Sequence, residues 1–243
     1  MKSYIIRIEL EESEPLIWRK VIMPAGATYN RLHDVIQNVT NFQSGYPSSS
    51  YHLFEFDLSE ENISVNNNEE AYLEHQHYKK NKKMYEERLK NMEPQMMEFE
   101  KCHQERLKIE VRKPTGLKID DYLEKYNEIR YAYDFSDDWH FKVILEQIVD
   151  DYYFGFPTLI DGAGTAPPED VGGIQGFYEF LKIYYDENHQ GHKEVKEWAK
   201  LNYFKEYDPK WINEKMKWLN YKKTEWNKIN HDQYKIVEDK YRK

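Results

Sequence analysis

Tyr4, Ile6, Ile8 and Leu10 alternate with more polar neighbours, a period of two that predicts a half-buried strand over residues 3–10. A second apolar run, IWRKVIM over residues 17–23, follows a Glu14-Pro15 turn and is stopped by Pro24 and Gly26. The short connection predicts an antiparallel pair. The period then lengthens. Leu32, Val35, Ile36 and Val39 share one helical face, and Thr28 stands where an N-cap is needed. Residues 45–50 read as a loop, and residues 51–58 as a third strand with His52, Phe54, Phe56 and Leu58 on one side.

Beyond residue 118 the same two periods return. Residues 119–127 form a short helix by pattern, and residues 129–135 a strand. That strand sets Ile129, Tyr131, Tyr133 and Phe135 on one face and Asp134 on the other. Residues 139–149 continue as a strand, which leaves 136–138 as the hairpin. Residues 150–173 are rich in Gly and Pro and read as a long loop of the kind that carries function. Three helical stretches follow, 174–185, 194–203 and 209–219, the last with Asp208 as N-cap and Pro209 at N1. The expected fold class is α+β: a mainly antiparallel sheet of about five strands with helices on one face, plus a helical insertion and a helical C-terminal region.

The insertion covers residues 62–113, where the charges nearly balance. Tyr85, Leu89, Met92, Met96 and Phe99 recur at spacings of four, three, four and three, a helical stripe interrupted by Pro94. Two helices, or one kinked helix, are expected, with the stripe packed against the domain or a partner helix. The chain thus divides into one domain, residues 1–220, interrupted by 62–113, and a basic extension, residues 221–243.

Composition changes this picture in three ways. The mean hydropathy of −0.97 and 33% charged residues suggest disorder, but 16% aromatic residues, 21 of them tyrosines, point instead to a globular chain with a polar coat. Cys102 is the single cysteine, so an internal disulfide and a thiolate zinc site are excluded and a reducing compartment fits. MKSYIIRIEL reads as a strand rather than a signal peptide, and no apolar run reaches membrane-spanning length, so a cytoplasmic protein with no membrane partner is expected. The net charge of −9 is uneven: residues 118–190 carry 16 acidic against 5 basic side chains, residues 191–243 carry 9 against 14. The acidic half repels phosphate and attracts cations; the basic tail offers nucleic acid a contact.

Candidate chemistry gathers in two segments, YAYDFSDDWH (residues 131–140) and APPEDVGGIQG (residues 166–176). Asp134, Asp137, Glu169 and Asp170 are candidate oxygen ligands for a divalent cation, with His33 or His52 as nitrogen donors. Hard ions favour several oxygens, whereas a His-carboxylate mixture suits Zn²⁺ or Mn²⁺ and would activate water. The bland readings stand beside these. Asp and Ser bond their own backbone in hairpins, and a histidine among aromatics is commonly a hydrogen-bonded core residue. Trp18 and Arg19 suggest a stacked or ion-paired cluster, Arg19 bonding Glu169-Asp170 as a latch. Trp139 borders the hairpin, and Gly172 and Gly173 free the backbone before the next helix. Those glycines form no phosphate-loop pattern. Ser136, flanked by Asp134, Asp137 and Asp138, is poorly placed as a nucleophile acting on DNA.

PLIWRKVIMP, the LHDVIQ helix, the HLFEF strand, YAYDFSDDW, APPEDVGGIQGFYEFL, Trp198 and DPKWIN occur in this order. With these motifs the chain resembles the plasmid pRiA4b ORF-3-like family, passengers on plasmids and insertion elements. The resemblance spans about three-quarters of the chain and leaves out residues 62–113 and the tail. It implies a mixed α+β fold and brings no established reaction. Relative to the family pattern, Ser136 replaces a glycine, Phe141 stands where a histidine is usual with His140 one position early, and Leu159 stands where a cysteine is usual. The functional expectation is a mobile-element or phage-associated, non-enzymatic module binding a small ligand or protein partner between the two segments. The alternative is a metal-dependent hydrolase acting on nucleotides or nucleic acid.

Overall fold

The computed structural model describes residues 2–43, 52–152, 154–219 and 241. The basic extension, Tyr241 excepted, and the 45–50 loop therefore lie outside the described residues. The expected alternation forms strands β1 (Ser3–Leu10) and β2 (Trp18–Pro24), paired antiparallel from Ser3↔Pro24 to Glu9↔Trp18. Helix α1 (Tyr29–Val39) follows. Thr28 caps it by accepting from the Arg31 amide, and Leu32, Val35, Ile36 and Val39 are all fully buried. Next come β3 (Phe54–Leu58), β4 (Ile63–Asn66), α2 (Glu69–Lys80), α3 (Lys82–Lys90), α4 (Pro94–Leu107) and β5 (Glu110–Arg112). The chain returns through α5 (Asp120–Tyr126), β6 (Glu128–Tyr133), β7 (Trp139–Val149) and β8 (Thr158–Ala163), and ends in α6 (Gly173–Tyr185), α7 (His192–Leu201) and α8 (Pro209–Lys217).

The α+β class holds, but the sheet is larger than five strands. Among the described residues eight strands run in the order β5-β4-β3-β6-β7-β1-β2-β8, and the β4-β5 pair is parallel while the other pairs are antiparallel. The extra strands come from two places read otherwise from sequence. The insertion supplies β4 and β5, and the Gly/Pro-rich loop contains β8, an edge strand against β2.

One sheet face packs α1, α6, α7 and α8 into a single core with Tyr4, Ile6, Ile8, Phe54, Tyr131 and Phe141. The opposite face has a small cluster of Ile5, Ile22, Val149, Tyr152 and Phe154. A register shift between β1 and β7 explains how one strand serves both. Phe141 and Val143 face the helices, and past the bulge Val149 emerges on the other side.

The insertion holds its own cluster, Tyr78, Tyr85 and Leu107, separate from the main core. Its predicted stripe is not packed as expected. The helix breaks before Pro94, Tyr85 alone of the stripe is buried, and Phe99 is 75% exposed while Glu100 and Gln104 turn inward. Polar pairing explains the difference, since Gln104 Nε2 donates to both the Tyr85 carbonyl and Glu100 Oε1.

Candidate functional site

The hairpin between β6 and β7 is where the period of two fails. Asp134 takes a left-handed φ of 51° and Asp138 one of 56°, conformations that aspartate tolerates better than most residues. The Asp134 carbonyl accepts from the Asp138 amide at 2.6 Å, and Asp134 Oδ1 accepts from the Ser136 amide at 3.1 Å. The turn therefore rotates Asp134 into the protein and expels Phe135, which is 50% exposed. The sequence expectation, Phe135 inward and Asp134 outward, is reversed. Asp134 Oδ2 is left facing His52 Nδ1 at 3.3 Å.

His52 precedes β3 and is fixed through its backbone. Its carbonyl accepts from Asn67 Nδ2 at 3.0 Å, while Asn67 Oδ1 accepts from the Phe54 amide at 2.8 Å. The ring lies edge-on to Tyr133, with centroids 5.7 Å apart, and stays half-buried.

The second segment docks against the end of α1. Asn41 forms a bridge with Pro168, and its Nδ2 donates to the Ala166 carbonyl at 2.7 Å. The next residue, Glu169, is thereby aimed at the hairpin. Its Oε1 accepts from the Gln43 amide at 2.6 Å and from the Tyr133 hydroxyl at 2.7 Å. Its Oε2 is buried with no hydrogen-bond partner and lies 3.8 Å from His52 Nε2. Burial raises the Glu169 pKa, against the opposing pull of the Tyr133 and Gln43 hydrogen bonds and of His52. Burial likewise pushes the Tyr133 hydroxyl well up, with Glu169 adding to the effect.

Asp137 joins the two segments instead of serving a ligand set. Its Oδ2 accepts from the Gly172 amide at 3.1 Å. Gly172 and Gly173 have φ of 88° and 69°, and a Cβ on Gly173 would sit 2.7 Å from the Asp137 carbonyl oxygen. The glycines are thus required by close approach of the hairpin to the loop.

His52, Asp134 and Glu169 each offer a ligand atom, and the three atoms lie within 4.8 Å of one another. One imidazole nitrogen and two carboxylate oxygens suit a borderline divalent ion such as Zn²⁺ or Mn²⁺. The other sequence candidates sit elsewhere. His33 is stacked on Phe54 at 3.8 Å between centroids, with Nδ1 2.7 Å from the Tyr131 hydroxyl. Full burial lowers its pKa to about 3, so it is a neutral core histidine, and it is not part of the cluster. Asp170 is exposed, at φ 54°.

The Arg19 latch to Glu169-Asp170 is replaced by a different clamp. Arg19 is buried and donates at 2.8 Å to the carbonyls of Val39, Trp18, Ala163 and Gly164, with Tyr207 stacked 4.2 Å from its guanidinium carbon. Backbone carbonyls at the end of α1 and on β8 come closer than the acidic loop does. Trp18 lies under Arg7, 4.4 Å from its guanidinium carbon, not against Arg19. Trp139 is a buried wall beside Phe42, centroids 5.7 Å apart. Phe141 and Leu159 fill the core, whereas His140 is displayed outside with Nε2 2.8 Å from Asp138 Oδ1. The strand's alternation accounts for that one-position difference.

Tyr133 and Gln43 escaped the sequence reading. Tyr133 carried a signal, a hydroxyl on a face otherwise destined for the core. Gln43 carried none, because it acts through its backbone amide.

The sequence profile of the family described as Plasmid pRiA4b ORF-3-like protein matches residues 2–216. The uncharacterized protein y4hQ of Sinorhizobium fredii is 25% identical over 195 residues, 80% of this chain and 79% of that protein. A crystal structure of a protein of unknown function, MM3350 from Methanosarcina mazei Go1, superposes with a TM-score of 0.57 at 26% identity. It covers 86% of this chain and 96% of the other.

Proposed function

This chain belongs to the plasmid pRiA4b ORF-3-like family, and from that premise we propose that it is a non-enzymatic binding module holding one divalent cation on His52, Asp134 and Glu169. The observation that carries this reading is Glu169 Oε2, a buried carboxylate oxygen left without a partner beside a histidine and a second buried carboxylate. A carboxylate so desolvated weakens the native state unless a cation approaches it. The surrounding bonds also hold it in place: Gln43 and Tyr133 occupy Oε1, so Oε2 is the free ligand atom. An origin on mobile elements belongs to the same proposal and rests on the family resemblance.

Titration calorimetry of Zn²⁺, Mn²⁺ and Mg²⁺ into chelator-stripped protein tests the site. One-site binding of Zn²⁺ or Mn²⁺ is expected, weakened at least about tenfold in Glu169→Gln and Asp134→Asn. Glu169→Gln keeps the shape of the side chain, so its loss of binding with an unchanged circular dichroism spectrum separates ligation from folding. Absence of binding by any of the three ions at about millimolar concentration sinks the proposal.

Hydrolysis is the second reading. It is favoured by the half-exposed His52, since three protein ligands beside solvent leave a coordination position for water. A screen of nucleotides and phosphoesters decides between the two. Turnover that disappears in Asp134→Ala and Glu169→Ala would establish the hydrolase.

A further inference from the structure

Gln43, whose amide fixes Glu169, also lines an open cavity of about 610 Å³ between the end of α1, the end of α7 and α8. That volume lies within the range of about 300–1,000 Å³ typical of small-molecule sites. Its charged lining is entirely basic: Lys200, Lys205 and Lys215. Among the described residues none of the three has a carboxylate within ion-pair distance, in a chain whose net charge is −9.

Two of these ammonium groups are gathered on one indole. Lys205 Nζ lies 4.0 Å and Lys215 Nζ 4.3 Å from the Trp211 ring centroid. Trp211 and Lys215 are four residues apart on α8 and so share a helix face. Lys205 is held from its backbone, because Asn41 Nδ2 donates to its carbonyl at 2.9 Å and Asn41 Oδ1 accepts from its amide at 3.4 Å. Burial, with Lys205 adding to it, lowers the Lys215 pKa to about 8. Cation-π contact with Trp211 holds both ammonium groups there, and an arriving anion would offset the repulsion between them. The rest of the wall joins three aromatic rings to the amides of Gln37, Asn38, Asn41 and Gln43; Phe42 and Phe204 are buried, and Tyr203 is 70% exposed.

We propose that this cavity binds a small phosphomonoester, its dianionic head between Lys205 and Lys215 and a planar apolar body against Phe42, Phe204 and Tyr203. Two ammonium groups match a dianion better than a single carboxylate, and a volume of about 610 Å³ is the size of a small-molecule site.

Calorimetry with phenyl phosphate as the probe, on the full chain at low salt, tests this. Saturable one-site binding is expected, weakening as salt rises, with benzoate and inorganic phosphate each binding at least about tenfold more weakly. Lys205→Met and Lys215→Met, which keep side-chain length, should each weaken phenyl phosphate at least about tenfold. Asp134→Asn, which alters a cation ligand with no bond to the cavity lining, should leave it within about twofold, which separates this cavity from the cation site. No saturation by about 10 mM phenyl phosphate, or affinity unchanged in both lysine variants, would overturn the proposal. So would a single-stranded oligonucleotide that binds more tightly than phenyl phosphate and loses its binding in the same variants.

Discussion

His33 shows how one side chain can look functional in the sequence and be structural in the fold. Its ring lies flat on Phe54, and burial lowers its pKa to about 3 from 6.5. Between those values the unfolded chain takes up a proton that the native state refuses. The stability His33 contributes is therefore complete above pH 6.5 and is lost as pH falls toward 3, by on the order of 3 kcal/mol at about pH 4. Urea unfolding of the wild type and of His33→Gln checks this. The variant is less stable at pH 7, and the gap narrows at pH 4.5 because glutamine does not titrate. A gap independent of pH would mean that the imidazole has the same pKa in the native and unfolded states. His52 differs in having two carboxylates and solvent around it, and no pattern of apolar spacing separates the two histidines.

At the scale of elements, α6 begins where the hairpin touches it, and its two leading glycines are not equivalent. Alanine at Gly173 meets both a left-handed φ and the Asp137 carbonyl at 2.7 Å, whereas alanine at Gly172 meets nothing nearer than 3.9 Å. Gly172→Ala should cost about 1 kcal/mol of conformational strain, and Gly173→Ala at least about 2 kcal/mol more. Equal losses in chemical denaturation would remove the close approach as the reason for the second glycine. These contacts were out of reach of the sequence, although β1, β2, β7 and the core-facing helices were legible because their apolar runs are long enough to read. β4 has four residues and β8 carries Asp161 and Gly162, so neither repeats a pattern long enough to read. Asp134, Glu169 and His52 were each readable as candidates. A shared cation site was expected from the sequence, but which of its six candidates meet was not, because that depends on a positive φ at Asp134.

On the scale of the whole molecule, the insertion is attached at one edge of the sheet. Glu110 donates its amide to the Asn62 carbonyl at 2.8 Å, Asn62 Nδ2 reaches the Lys108 carbonyl at 2.9 Å, and the helices between them close on their own small cluster. Replacing residues 68–113 by a Gly/Ser linker should leave the main core folded. Asn67 must be kept, because it holds His52 in position. Circular dichroism would then show the strand signal retained with helix lost in proportion, and a chain that no longer melts cooperatively would refute the separation. Such a variant would also lose β5, and that strand does more than extend the sheet. Only three residues long, with Glu110 and Arg112 paired across its length, it is a poor template for another strand. The strand behind it, Ile63-Ser64-Val65-Asn66, is more apolar and would be laid bare. The trimmed protein should therefore elute as dimers and larger species in size-exclusion chromatography while the intact chain does not. On this view β5 keeps the sheet from recruiting its own neighbours.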